Sequence, residues 1–273
     1  MYILCIFIPI LLIIGLYLFL IAPCTRRRKE TAALVGDYAH RGILRTTDVE
    51  NSLSALVGAT KSGYGIELDV RLDADGRVVV FHDDTLKRVC GIDAKMKEMT
   101  AAELSGVRLN GSEEGVPTLA EVLSGVDRSM PLCVELKGTS SDTSLCPKVA
   151  ELLDGYDGTY SVESFNPFLL AWFKKNRPDV IRGQLVSNFF REGGTSLVVK
   201  LLCTPMLTNV LSRPDYISYN AQFKQLSVML CEKLFGATMF AWTIRDRELY
   251  KRVRARGHAA IFQDFEPRIK NER

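Results

Sequence analysis

Residues 65–82 read Gly-Ile-Glu-Leu-Asp-Val-Arg-Leu-Asp-Ala-Asp-Gly-Arg-Val-Val-Val-Phe-His, and the fold follows from how that stretch is paired. Its first part, 65–71, is an apolar, strand-like run carrying two acids, Glu67 and Asp69. On a strand, period 2 points both of these side chains to one face. Asp75-Gly76 supplies the positive φ of a tight turn, and a second arm from Val78 to Phe81 ends in His82. Antiparallel pairing about a turn at 73–76 sets residues whose numbers sum to about 149 opposite one another, landing His82 beside Glu67. Two acids and an imidazole thereby share a surface.

The return arm cannot be a parallel neighbour of 65–71, because a parallel connection needs a crossover of about a dozen residues or more. Setting it aside leaves eight candidate strands, at 34–40, 65–71, 132–137, 159–164, 181–186, 215–219, 237–243 and 259–263. Helix patterns at 51–62, 118–126, 144–154, 167–176, 222–235 and 246–256 lie between them. Asn51 is placed to cap the first, and Thr118, with Glu121 three residues on, makes a capping-box start for the second. Alternating strands and helices indicate a parallel α/β fold, and eight strands in about 240 residues is the size of a (β/α)8 TIM barrel. An open doubly wound sheet is the other arrangement compatible with the pattern. The span 83–117 reads as an excursion over the rim after the second strand, with a short helix at 100–106, whereas 187–214 shows no clear pattern.

The 273 residues are 47% hydrophobic and 25% charged, enough apolar surface for a sizeable core. A net charge of +3 gives no case for nucleic acid as a partner. Seven scattered cysteines without a Cys-x-x-Cys pair describe neither a disulfide framework nor a zinc site, and suit a reducing compartment. Residues 1–23 carry no charged side chain and are followed by Arg26-Arg27-Arg28-Lys29. The expectation is an uncleaved, single-pass transmembrane anchor facing the lipid bilayer, with the rest of the chain on the cytoplasmic side. The domain division that follows is 1–30, anchor and basic segment, and 31–273, the barrel.

In such a barrel the site lies at the carboxyl ends of the strands. There the sequence places His40-Arg41-Gly42, Glu67 and Asp69, Glu135 and Lys137, His82-Asp83 and Trp242-Thr243. His258, in the last helix-to-strand connection, reads as a surface or packing residue. Three inward carboxylates call for a cation, and all-oxygen donors suit Mg2+ or Ca2+. Arg41 and Lys137 add positive charge for an anionic group such as phosphate, and two imidazoles supply acid–base chemistry. Together these describe phosphodiester cleavage.

The motifs His40-Arg41-Gly42, Glu50-Asn51-Ser52, Glu67-Leu68-Asp69-Val70, Val80-Phe81-His82-Asp83, Pro117-Thr118-Leu119 and Glu135-Leu136-Lys137 occur in that order. They continue through Ser164-Phe165-Asn166-Pro167, Ala241-Trp242-Thr243-Ile244 and Ile261-Phe262-Gln263-Asp264, and the whole resembles the glycerophosphodiester phosphodiesterases. The resemblance implies a barrel that hydrolyses glycerophosphodiesters to sn-glycerol 3-phosphate and an alcohol with a divalent metal. It implies His40 and His82 as the acid/base pair, Glu67, Asp69 and Glu135 as metal ligands, Arg41 and Lys137 on the phosphate, and Trp242 in the glycerol pocket. Glu50 matches a family acid near the site, without an assigned role. Ser52 stands where Thr is usual, and Gln263 where Thr is common; neither is expected to touch the metal or the histidines. Two other functions fit the same residues: a lysophospholipase D acting on membrane lysophospholipids, and a catalytically silent, tethered binding module.

Overall fold

A computed structural model describes residues 2–45, 48–138, 140–223 and 225–267, the side chains of 2–6 excepted. Its strands are β1 (Asp37–His40), β2 (Gly65–Leu72), β3 (Val78–Val80), β4 (Leu132–Leu136), β5 (Tyr160–Ser164), β6 (Arg182–Val186), β7 (Tyr216–Asn220), β8 (Thr238–Ile244) and β9 (Ala259–Phe262). All but β3 run parallel in the order β1-β9-β8-β7-β6-β5-β4-β2, and β1 pairs with β2, which closes an eight-stranded barrel. Helices follow at the expected places, among them Leu53–Lys61, Leu119–Gly125 and Pro167–Asn176. Thr118 starts the second of these with a capping box. The first is capped by Ser52, whose hydroxyl accepts from the Ala55 N–H, not by Asn51. Asn51 has a φ of 60° that turns its amide away from the helix, into the barrel mouth.

The inner face of the barrel is built in two layers by the alternation of each strand. The lower layer is apolar and holds Tyr38, Cys133, Tyr216, Phe240 and Ile261, all fully or almost fully buried. Tyr216 stacks on Phe240 with ring centroids 4.3 Å apart, and Tyr38 lies 5.3 Å from Phe240. Gly183 on β6 is required here, because a Cβ at that position would come within 2.2 Å of the Tyr216 ring. Two residues further along the same strands come His40, Glu135 and Trp242, so the polar layer rests on an aromatic plug. Outward residues such as Ile66, Leu68, Val134 and Leu136 pack beneath the helices in the larger core.

The return arm pairs antiparallel to β2 with Val70 opposite Val80 and Leu72 opposite Val78, a sum of 150 against the expected value of about 149. Pairing stops before His82, so that histidine is not across from Glu67. It is positioned instead by Arg71, which donates from Nε and Nη2 to the His82 carbonyl at 2.8 and 2.6 Å.

The N-terminal anchor expected from residues 1–23 is overturned. Among the described residues no helix is long and apolar enough to cross a membrane, and the membrane-bound, cytoplasmic-facing placement falls with it. The first helix, Tyr2–Ile21, commits its last turns to the barrel. Tyr17 and Leu18 pack on the core and Ile21 is fully buried. The Ile21 carbonyl accepts from Asn209 Nδ2 at 2.9 Å, and Arg213 donates to the Phe19 and Ala22 carbonyls at 2.7 and 2.9 Å. The basic run is drawn onto the barrel as well. Arg27 donates to the Pro178 and Asp179 carbonyls, and Arg28 to that of Phe235.

Candidate active site

The polar residues that the sequence assigned to the site come to the carboxyl end of the barrel. His40 is the last residue of β1, and Arg41, at φ 59°, turns the chain back over the mouth. That reversal is permitted by Gly42, where a Cβ would sit 2.6 Å from the Ala55 backbone. The Arg41 N–H donates to the Glu67 carbonyl at 2.9 Å, and its guanidinium reaches Glu50 at 2.9 Å and Asp69 at 3.1 Å. Glu67, Asp69 and Glu135 are buried and offer oxygens that lie within 4.8 Å of one another. Lys137 bridges two of them, with Nζ 2.9 Å from Asp69 and 2.6 Å from Glu135. Trp242 packs edge-on against Phe165, which packs on Phe189, forming an aromatic wall. The cavity enclosed, about 430 Å3, is lined by His40, Arg41, Glu50, Glu67, His82, Glu135, Lys137 and Trp242. Asp69 lies beneath it with no exposed surface.

Electrostatics sort the acids. Burial drives Glu67 well above the ordinary carboxylate range, with Asp69 and Glu135 adding to the effect, and lifts Glu135 to about 8 against the pull of Lys137. Burial acts on Asp69 too, but Lys137 and Arg41 outweigh it and hold that carboxylate far below its usual value. Lys137 is desolvated, yet Asp69 and Glu135 push it up to about 12. The cluster therefore keeps its firmest negative charge on Asp69, where two cations meet it. His40 is lowered to about 4, first by burial and then by Arg41; His82 is lowered mainly by burial.

Several contacts at the mouth were not legible beforehand, and neither were Asn51, Arg88 and Glu163 as residues of the site. Asn51 Nδ2 donates to Asp69 Oδ2 at 2.8 Å. Asp83 Oδ1 is 2.6 Å from His82 Nδ1, and Arg88 grips both Asp83 (2.7 Å from Nε) and Glu50 (2.9 and 2.5 Å). Glu163, pushed up to about 7 by burial, accepts from the Tyr216 hydroxyl at 3.1 Å and also lines the cavity. Gln263 corrects an expectation outright: its Oε1 lies 2.7 Å from His40 Nδ1, so it does touch a histidine. His258 is a packing residue, buried and bonded to Tyr219 and Glu232.

A parallel barrel whose mouth joins paired imidazoles, clustered acids and phosphate-type cations is a phosphodiester hydrolase. The chain belongs to the glycerophosphoryl diester phosphodiesterase family, which matches residues 40–266. It is 29% identical over 240 residues to a glycerophosphodiester phosphodiesterase of Caldanaerobacter subterraneus, covering 83% of this chain and 92% of that protein. It is 24% identical over 280 residues to human lysophospholipase D GDPD1, covering 90% of this chain and 88% of that one. Among solved structures it is similar to an Oleispira antarctica phosphodiesterase in complex with the product sn-glycerol-3-phosphate. There the TM-score is 0.70 and the identity 26%, over 86% of this chain and 95% of that one.

Proposed function

We propose that this enzyme hydrolyses glycerophosphodiesters to sn-glycerol 3-phosphate and an alcohol, with His40 and His82 moving the protons. The observation that carries it is the convergence of two imidazoles, three carboxylates and two cations on one cavity. Glu67, Asp69 and Glu135 would hold Mg2+ or Ca2+: the donor set is all oxygen, buried and close enough to share one ion. When bound, such a cation neutralises charge that builds on the phosphate oxygens.

The chain's own groups do the rest. Arg41 and Lys137 hold the phosphate as donors without being consumed. Asp69, salt-bridged to both, fixes where they stand. One imidazole takes the proton from the attacking oxygen as its bond to phosphorus forms. The other returns a proton to the headgroup oxygen as the P–O bond to it breaks. Trp242 and Phe165 give the glycerol carbon skeleton an apolar wall.

A second substrate class has its own support. Phe190 stands 53% exposed beside Phe189, whose ring packs on the cavity-lining Phe165, so an acyl chain would find apolar contact at the rim. The human relative named a lysophospholipase D agrees with that chemistry.

The test is release of glycerol 3-phosphate by the full chain from glycerophosphocholine and of lysophosphatidic acid from lysophosphatidylcholine, with chelator or with added Mg2+ or Ca2+. Turnover that chelation silences and a cation restores is expected, and His40→Ala or His82→Ala should lower it about 10²–10⁴-fold with the melting temperature kept. Retained turnover in both variants would remove the histidines from the chemistry.

A further inference from the structure

His40, Gln263 and Arg245 follow one another around the barrel rim, just at or after the ends of β1, β9 and β8. The Gln263 backbone is held by its N–H, which donates to the Ile244 carbonyl at 2.9 Å. Its side-chain oxygen Oε1 meets two partners, Arg245 Nη2 at 2.9 Å and His40 Nδ1 at 2.7 Å. Arg245 is in turn tied by its other terminal nitrogen to Asp264.

Donor chemistry settles what each atom must be. A guanidinium has only donors, so the amide atom facing Arg245 is the carbonyl oxygen. That same oxygen faces His40 Nδ1, which must therefore carry a hydrogen. A neutral imidazole has a single N–H, so Nε2 is left with its lone pair. Nε2 is the nitrogen on the acid-cluster side, 3.8 Å from Glu67 Oε2. Without Arg245 the amide is free to turn its NH2 toward Nδ1, which selects the opposite tautomer.

We propose that Gln263, oriented by Arg245, is a positioning residue that fixes His40 in the Nδ1–H tautomer and turns the Nε2 lone pair into the cavity. This rests on the proposed role of His40 in proton transfer. A ligating or catalytic imidazole owes its orientation to the partner of its other nitrogen, and loss of such partners costs about 10- to 100-fold.

The experiment compares the full chain with Gln263→Leu, Gln263→Glu and Arg245→Met, reading His40 by long-range 1H–15N correlation and turnover of glycerophosphocholine as kcat and KM. With three histidines in the chain, the ring signals are assignable by single substitution. In the unsubstituted protein His40 should carry its hydrogen on Nδ1. Gln263→Leu and Arg245→Met should shift His40 toward the Nε2–H form, and Gln263→Leu should lower kcat about 10- to 100-fold with KM within about twofold. Gln263→Glu keeps an acceptor, so it should keep the tautomer and recover most of kcat. A His40 that carries its hydrogen on Nε2 in the unsubstituted protein, or a Gln263→Leu variant with unchanged tautomer and kcat, overturns the proposal. If Gln263→Leu does not fold, the tautomers of the unsubstituted, Gln263→Glu and Arg245→Met proteins decide it. A protein that turns over no diester under any cation condition refutes the proposed function, while the tautomer still judges the Gln263 clamp.

Discussion

The two histidines of the mouth are held in opposite ways. His40 leans on a neutral amide, Gln263, whose oxygen is shared with Arg245. His82 leans on a carboxylate, Asp83, itself clasped by Arg88, which continues to Glu50 and Arg41. Both oxygens orient an imidazole and favour its charged form, the amide through a dipole and the carboxylate through a full negative charge. Burial lowers both imidazoles, and the two sides of the mouth differ in what opposes it, an amide at His40 and a carboxylate at His82. Exposure follows the same division, at 13% for the His40 side chain and 33% for that of His82.

That contrast can be erased. Asp83→Asn gives His82 the same kind of partner that His40 has, and kcat should fall about 10- to 100-fold while KM stays within about twofold. Steady-state kinetics on glycerophosphocholine check this, and an unchanged kcat would mean that the carboxylate only orients the ring. Arg88→Met is a milder disturbance. It releases Glu50 and Asp83 together but leaves both beside other partners, Arg41 and His82. Because Arg88 is half exposed, the loss of stability in urea unfolding should be at most about 1 kcal/mol. The smallest effect is in the acid limb of stability. Burial opposes ionisation of Asp83, but Arg88 and His82 bring it down to about 2. A carboxylate depressed in the folded state stabilises above its unfolded value near 4, and that contribution is lost as pH falls through about 2. Urea midpoints measured from pH 4.5 downward should therefore fall less steeply in Asp83→Asn than in the parent. Gln263 carries no charge, so His40's partner adds nothing to this limb.

The barrel was legible because strand alternation and the Asp75-Gly76 turn are local signals. The acids, cations and histidines of the mouth were legible because each lies on or just after a strand in a recognisable motif. Gln263 was misjudged because its contact with His40 spans 223 positions and exists only when the last strand closes on the first. Arg88 sits in the rim excursion, where no period ties sequence to direction. Asn51 carried a plausible capping role that its positive φ redirected to Asp69. The N-terminal error has a different origin. An apolar run specifies that a surface will be buried but not in what, and here Ile21 found protein.

The Tyr216–Phe240 stack, with Gly183 making room for it, has a consequence for traffic. A barrel stoppered from below is a blind tube: substrate, both products and any exchanging ion or water must pass through the same opening. Departure of one product is therefore a precondition for replacing anything deeper, and a slowly leaving alcohol or phosphate would retard exchange at the acids beneath it.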